Sequence, residues 1–162
     1  MVKRKYRLYG LVPYNISPIQ QGIQFMHAAI EYANEFGESD SYYQWSRYDK
    51  TVIILNGGTT NTNSDFQGTL NSHLTTLLQN NIKVSKFYEP DLGDQMTAIV
   101  FLVDDRVWDK VTWPDYDGGD AIEVKLGGRS LDRQYYDWEN QFGSDANDVV
   151  FMRNFLKQFR FA

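Results

Sequence analysis

The sequence predicts an α/β domain: a mixed sheet of about four strands covered by helices, then an irregular C-terminal extension ending in a helix. Three observations predict it. Between residues 5 and 103, short runs of strand formers alternate with amphipathic helical segments. Within that region the last two strands are separated only by a turn, Pro90 to Gln95, so they pair as a hairpin, whereas the earlier strands need helical crossovers. After Asp104 the periodicity fades, and Pro114, Gly118, Gly119, Gly127 and Gly128 punctuate short segments. With no internal repeat, low-complexity stretch or linker, the 162 residues read as a single domain, with a core over 1–103 and an extension over 104–162 packed on it.

Tyr6 to Val12 reads as the first strand, ended by Pro13. Ser17 then caps a helix that has Pro18 at its first position and Gln20 completing a capping box. Ile19, Ile23, Met26, Ile30 and Ala33 recur at alternating spacings of four and three, which predicts a buried stripe, and Gly37 supplies the stop. Asp40 to Tyr48 is a short helix carrying Trp45. Thr51 to Leu55 is a continuous apolar run, predicted as a strand buried on both faces, and Asn61 to Ser64 is a polar loop. Leu70, Leu74, Leu77 and Leu78 stripe the next helix. Ile82 to Tyr88 and Met96 to Val103 form the hairpin. A final helix runs from Asp145 to Phe159, capped by Ser144, with Met152, Phe155, Leu156 and Phe159 on one face.

Composition removes several chemistries. There is no cysteine, which excludes disulfides, thiolate nucleophiles and cysteine zinc sites. The two histidines are His27 and His73, and no G-x-S-x-G elbow occurs. The sequence contains no apolar run of membrane-spanning length and no signal-peptide core, so no membrane partner and cytoplasmic residence are expected. The net charge is −5, and the stretch from Glu89 to Glu123 holds ten acids against Arg106 and Lys110. Extensive contact with nucleic acid is therefore disfavoured, because phosphate recognition needs a basic surface. The acidic run Asp115, Asp117, Asp120 lacks EF-hand spacing, so no metal site is assigned and no cofactor is implied. Asn56-Gly57-Gly58-Thr59-Thr60 could approach a phosphate through its amides but has no P-loop lysine.

The first helix reads Gln20-Gln21-Gly22-Ile23-Gln24-Phe25-Met26-His27-Ala28-Ala29, a Gln44-Trp45 pair precedes Lys50-Thr51-Val52-Ile53-Ile54, and the hairpin turn reads Asp91-Leu92-Gly93-Asp94-Gln95. In these residues, and in the order of elements over about 5–103, the chain resembles the type II peptidyl-tRNA hydrolases. Gln24, His27 and Ala28 match the family's Gln-x-x-His-Ala, and Asp91 matches the aspartate of its Asp-x-Gly-Arg-Thr turn. The resemblance implies a cleft formed by the helix and the turn, with Asp91 as the catalytic residue if the chain is active. The family lysine aligns with Gln20, its arginine with Asp94, and its threonine with Gln95, with Thr97 close by. Each missing donor to a developing oxyanion is worth roughly 3–4 kcal/mol, so the substitutions favour binding over hydrolysis.

The resemblance thus yields a ligand-binding set of Gln20, Gln24, His27, Gln95 and Thr97. Its neutral polar groups suit a nucleotide-like small molecule, held by a non-catalytic binding module that sequesters its ligand or inhibits a partner. The alternatives are an active peptidyl-tRNA hydrolase, and a protein–protein module using the acidic, aromatic segment from Trp108 to Trp138. A homo-oligomer stays open. Structural roles compete at each position: Gln20 as helix cap, Asp91 as turn former, His27 as a neutral histidine satisfied by a backbone carbonyl, and His73, beside the leucine stripe, as a surface or core-edge residue.

Overall fold

Tyr6–Pro13 forms β1, an interior strand of a four-stranded sheet whose order is Thr51–Gly58, Tyr6–Pro13, Gln95–Asp104, Val84–Glu89. The computed structural model describes residues 3–60, 68–115, 123–126, 129–132, 139–143 and 145–162. Between β1 and β2 (Thr51–Gly58) run α1 (Pro18–Phe36), α2 (Asp40–Gln44) and a π-helical turn, Trp45–Asp49. That crossover makes β1 and β2 parallel, with Leu8 opposite Val52. After α3 (Thr69–Gln79), β3 (Val84–Glu89) and β4 (Gln95–Asp104) form the expected antiparallel hairpin around a 3-10 turn, Pro90–Leu92, and β4 also pairs antiparallel with β1. The predicted mixed sheet is present, and β1 and β4 are its buried centre.

The chain divides into two compact units, Met1–Asp104 with Gln158–Ala162, and Asp105–Lys157. In the first, one face of the sheet packs on α1 through Leu8, Val12, Phe25, Ala28, Tyr32, Ala98 and Val100. Gly10 makes room for that packing: a Cβ there would sit 2.2 Å from the Phe25 ring. Tyr32 is fully enclosed, and burial pushes its phenol far up. The C-terminal residues extend the edge of the sheet, since Asn56 N–H donates to Arg160 O and Ala162 N–H to Ile54 O.

Several sequence expectations are corrected. The α1 stripe faces the other way: Ile19, Ile23, Met26 and Ile30 are exposed, while Gln24, Phe25, Ala28 and Tyr32 are buried. Apolar residues line both sides of this helix, and the sheet takes the side whose rings fit over Gly10 and against Ala98. Strand β2 is not buried on both faces; it is an edge strand of the sheet, with Thr51 and Val52 exposed, and among the described residues its free side is met only by an isolated bridge from Phe161 to Leu55. Leu78 is exposed, whereas Leu70, Leu74 and Leu77 form the buried stripe of α3. Gly37 ends α1 with φ −62°, an ordinary helical value. Its role is close approach, since a Cβ would stand 2.3 Å from Ala33 O.

The second unit holds α4 (Asp105–Trp108), the hairpin of β5 (Glu123–Leu126) and β6 (Arg129–Asp132), and α5 (Ala146–Leu156). On α5 Val149, Met152 and Phe155 are buried and Leu156 half-buried. Arg153 ties this unit together: Nε donates to Val107 O at 3.1 Å, one terminal nitrogen to Asp115 Oδ1 at 2.8 Å, and the other to the carbonyls of Arg106 and Trp113. Lys110 and Arg153 both hold the Asp115 carboxyl below the usual range. Arg106 grips Asp145 with two bonds of 2.7 and 2.6 Å. The expected loop Asn61 to Ser64, the acids Asp117 and Asp120, and the cap Ser144 lie outside the described residues. Among the described residues no helix is long and apolar enough to cross a membrane, and no cluster of side chains is arranged to hold a metal ion.

Candidate functional site

A directed chain of hydrogen bonds joins α1 to the end of the β3–β4 hairpin. Thr97 Oγ1 donates to Gln24 Oε1 at 2.6 Å, and Gln24 Nε2 donates to Glu89 Oε2 at 2.8 Å. Its direction is fixed by chemistry. An ionised carboxylate only accepts, so Glu89 must face the amide nitrogen of Gln24; the amide oxygen then faces Thr97, whose hydroxyl must donate. Both Gln24 and Thr97 are buried, so the amide is held in one orientation.

Thr97 reaches this position through a bulge. Phe87 pairs with Ala98 and Tyr88 with Met96, so the ladder skips Thr97. Regular alternation would send Thr97 to the face opposite Ala98. The extra residue re-aims its side chain, and here it meets α1. Glu89 is positioned by the turn that follows it: Asp91 N–H donates to Glu89 Oε1 at 3.1 Å, and Asp94 N–H to Glu89 O at 3.0 Å. Gly93 and Asp94 both adopt left-handed backbone, φ 69° and 58°, which glycine and aspartate tolerate best and which brings the chain back into β4. The bond from Gln24 first, then that from the Asp91 N–H, holds the Glu89 carboxyl below its ordinary range, against a smaller opposing effect of burial. Glu89 is therefore an anion at neutral pH.

His27 stands beside this anion. Its Nδ1 lies 3.9 Å from Glu89 Oε2, beyond hydrogen-bond length, and the ring packs at 4.5 Å centroid distance on Phe87. Nδ1 is buried without a hydrogen-bond partner, while the side chain as a whole is 38 % exposed. A neutral imidazole that carries its hydrogen on Nδ1 has its acceptor at Nε2. Among the described residues no lysine or arginine pairs with Glu89.

Of the residues singled out from the sequence, Gln24, His27 and Thr97 come together. Gln95 is half-buried and pairs directly opposite Glu89 in the hairpin. Gln20 stays exposed at the start of α1, where its N–H donates to Ser17 Oγ at 3.2 Å, the first half of the expected capping box. The Asp91 side chain is exposed, and Asp91 bonds to the cluster through its backbone N–H. Glu89 was not foreseen. It is the last residue before Pro90 in an otherwise acidic stretch, and only its distance from the buried amide of Gln24 distinguishes it. His73 stands apart, edge-on to Phe159 at 4.8 Å, and burial pushes its pKa down so that it is neutral at pH 7.

Compared with protein-family models, curated proteins and solved structures, the chain gives no significant match to any.

Proposed function

We propose that the chain is a binding module, a non-catalytic relative of the type II peptidyl-tRNA hydrolases, that holds a nucleotide-like small molecule by an edge rich in N–H donors. The reading rests on one arrangement: the Glu89 carboxylate, 12 % exposed, is held by Gln24 and the Asp91 N–H with the 38 % exposed His27 beside it, and carboxylate oxygens are acceptors. A carboxylate offers about four lone-pair positions. Gln24 occupies one on Oε2 and the Asp91 N–H one on Oε1, which leaves one on each oxygen. His27 stands beside them. Two parallel acceptors match a two-donor edge such as N1–H and N2–H of guanine, in the bidentate geometry that makes carboxylate recognition selective. The His27 ring, packed at 49° on Phe87, supplies aromatic surface beside the carboxylate.

The same features weigh against hydrolysis. Cleaving an ester on an anionic substrate calls for donors or cations aimed at the developing oxyanion. Here Glu89 contributes a negative charge, Gln20 is neutral and exposed, and the Asp91 carboxylate stands in solvent.

Thermal unfolding with millimolar guanosine, inosine, adenosine, cytidine and uridine tests the reading. A ligand at tenfold its Kd stabilises by about 1.4 kcal/mol, which for a chain of this size raises Tm by about 3–6 °C. Guanosine is expected to give that shift, inosine less because it lacks the 2-amino donor, and Glu89→Gln to abolish it. The reading fails if no nucleoside stabilises the protein. It also fails if the protein cleaves peptidyl-tRNA with enzymatic turnover that Asp91→Ala removes.

A further inference from the structure

The outer face of α1 carries a seam of the kind that packs against another helix. Ile19, Ile23, Met26 and Ile30 are 76, 40, 55 and 51 % exposed, on the side turned away from the buried Phe25, Ala28 and Tyr32. Their spacings of four, three and four, extended by Ala33 at three more, are those of the a and d positions of two heptads. Residues flanking the seam are Gln20, Gly22, His27 and Ala29, with no acid, lysine or arginine among them. Gly22 has no evident task within its own fold: a Cβ there would meet nothing within 4 Å. Glycine inside a helix costs about 0.5–1 kcal/mol relative to alanine, and its missing side chain lets a facing backbone come close.

We propose that two copies of this chain pair through this face, with their α1 helices antiparallel, Ile19 opposite Ile30 and Ile23 opposite Met26. Three features select a second copy as the occupant. A two-fold axis requires a surface complementary to itself, and the order four-three-four reads the same in both directions, so every seam residue meets an apolar partner. The chain carries a net charge of −5, so copies repel each other over most orientations, and this seam brings no like charges together. Flanking positions that normally select a different partner by charge are uncharged here.

The area sets the strength. At roughly 200 Å² for a fully exposed Ile or Met, the seam presents about 450 Å² per copy, less than the roughly 800 Å² per partner of a standard stable interface. The dimer is therefore concentration-dependent.

Sedimentation velocity from micromolar to submillimolar protein reads this directly. The expected result is a monomer–dimer equilibrium that Met26→Glu weakens at least tenfold with an unchanged far-UV circular dichroism spectrum. Ile30→Lys acts likewise, and the double variant Ile19→Glu/Ile30→Lys recovers association, because the antiparallel register sets each new acid against the other copy's lysine. The chain has no cysteine, so single cysteines map the register: Ile19→Cys mixed with Ile30→Cys crosslinks across copies, and neither variant crosslinks with itself. A protein that stays monomeric at the highest concentration overturns the proposal. So does a dimer indifferent to both Met26→Glu and Ile30→Lys, or one in which Ile19→Cys crosslinks to itself.

Discussion

Replacing Thr97 by valine removes one hydroxyl and almost no volume, and it strikes the candidate site at its most buried bond. The Thr97 side chain is fully enclosed and its Oγ1 is the donor to Gln24 Oε1 at 2.6 Å. Glu89 cannot take over: it accepts from the other end of the same amide and has no hydrogen to give. Valine therefore leaves Gln24 Oε1 buried and unsatisfied, at a cost of about 1–3 kcal/mol. At about 2–4 °C per kcal/mol for a chain of this length, Tm should fall by about 4–8 °C at the middle of that range. Thr97→Ser keeps the donor and should lose much less. In a double-mutant cycle with Gln24→Leu, the coupling between positions 24 and 97 should be about 1–2 kcal/mol, since neither bond partner costs as much once the other is gone. Calorimetry on the four proteins measures it. Equal stability of Thr97→Val and wild type, or a coupling near zero, refutes the directed chain.

Other expectations concern packing and charge. Gly10→Ala should destabilise by about 1–3 kcal/mol in denaturant unfolding, because the new methyl and the buried Phe25 ring claim the same space. Arg153→Met strips three carbonyls and Asp115 of their donor; a loss of about 3 kcal/mol is expected, read as faster amide exchange in α5. Glu89 has a folded pKa below its ordinary value near 4.5, so its contribution is complete above that pH and is lost as pH falls through the lower folded value. Glu89→Gln should accordingly flatten the acid limb of a Tm-against-pH curve below pH 4.5, with no change in slope above it.

The order of elements was legible because capping and punctuation are local signals. Ser17 and Pro18 open α1, and Pro90 with Gly93 turns the hairpin, as the residue types require. Which face of α1 enters the core was not legible, because two apolar stripes compete on that helix. The branched residues look like the stronger candidate, but only tertiary packing reveals that Gly10 offers a seat to Phe25. The run from Thr51 to Leu55 reads as fully buried because composition does not record where a strand lies in the sheet.

The site was half legible. Gln24 and His27 stand out through the resemblance of their helix to a known pattern, and the structure places them side by side with a common neighbour. That neighbour, Glu89, lies 65 residues from Gln24, and no local pattern reports such a distance. Thr97 needed the bulge: strict alternation along β4 assigns it to the wrong face, and only the skipped pairing opposite Phe87 and Tyr88 turns it toward α1.

Glu89, held by Gln24 and the Asp91 N–H, is the proposed acceptor for a donor-edged ligand. Titrating isotope-labelled protein with guanosine while following the Gln24 side-chain amide and the Asp91 backbone amide by NMR tests it most directly, since both donate to that carboxylate. Both resonances are expected to move together and saturate at one midpoint, and neither to move in Glu89→Gln. Resonances that stay in place while the ligand saturates elsewhere on the protein would contradict it.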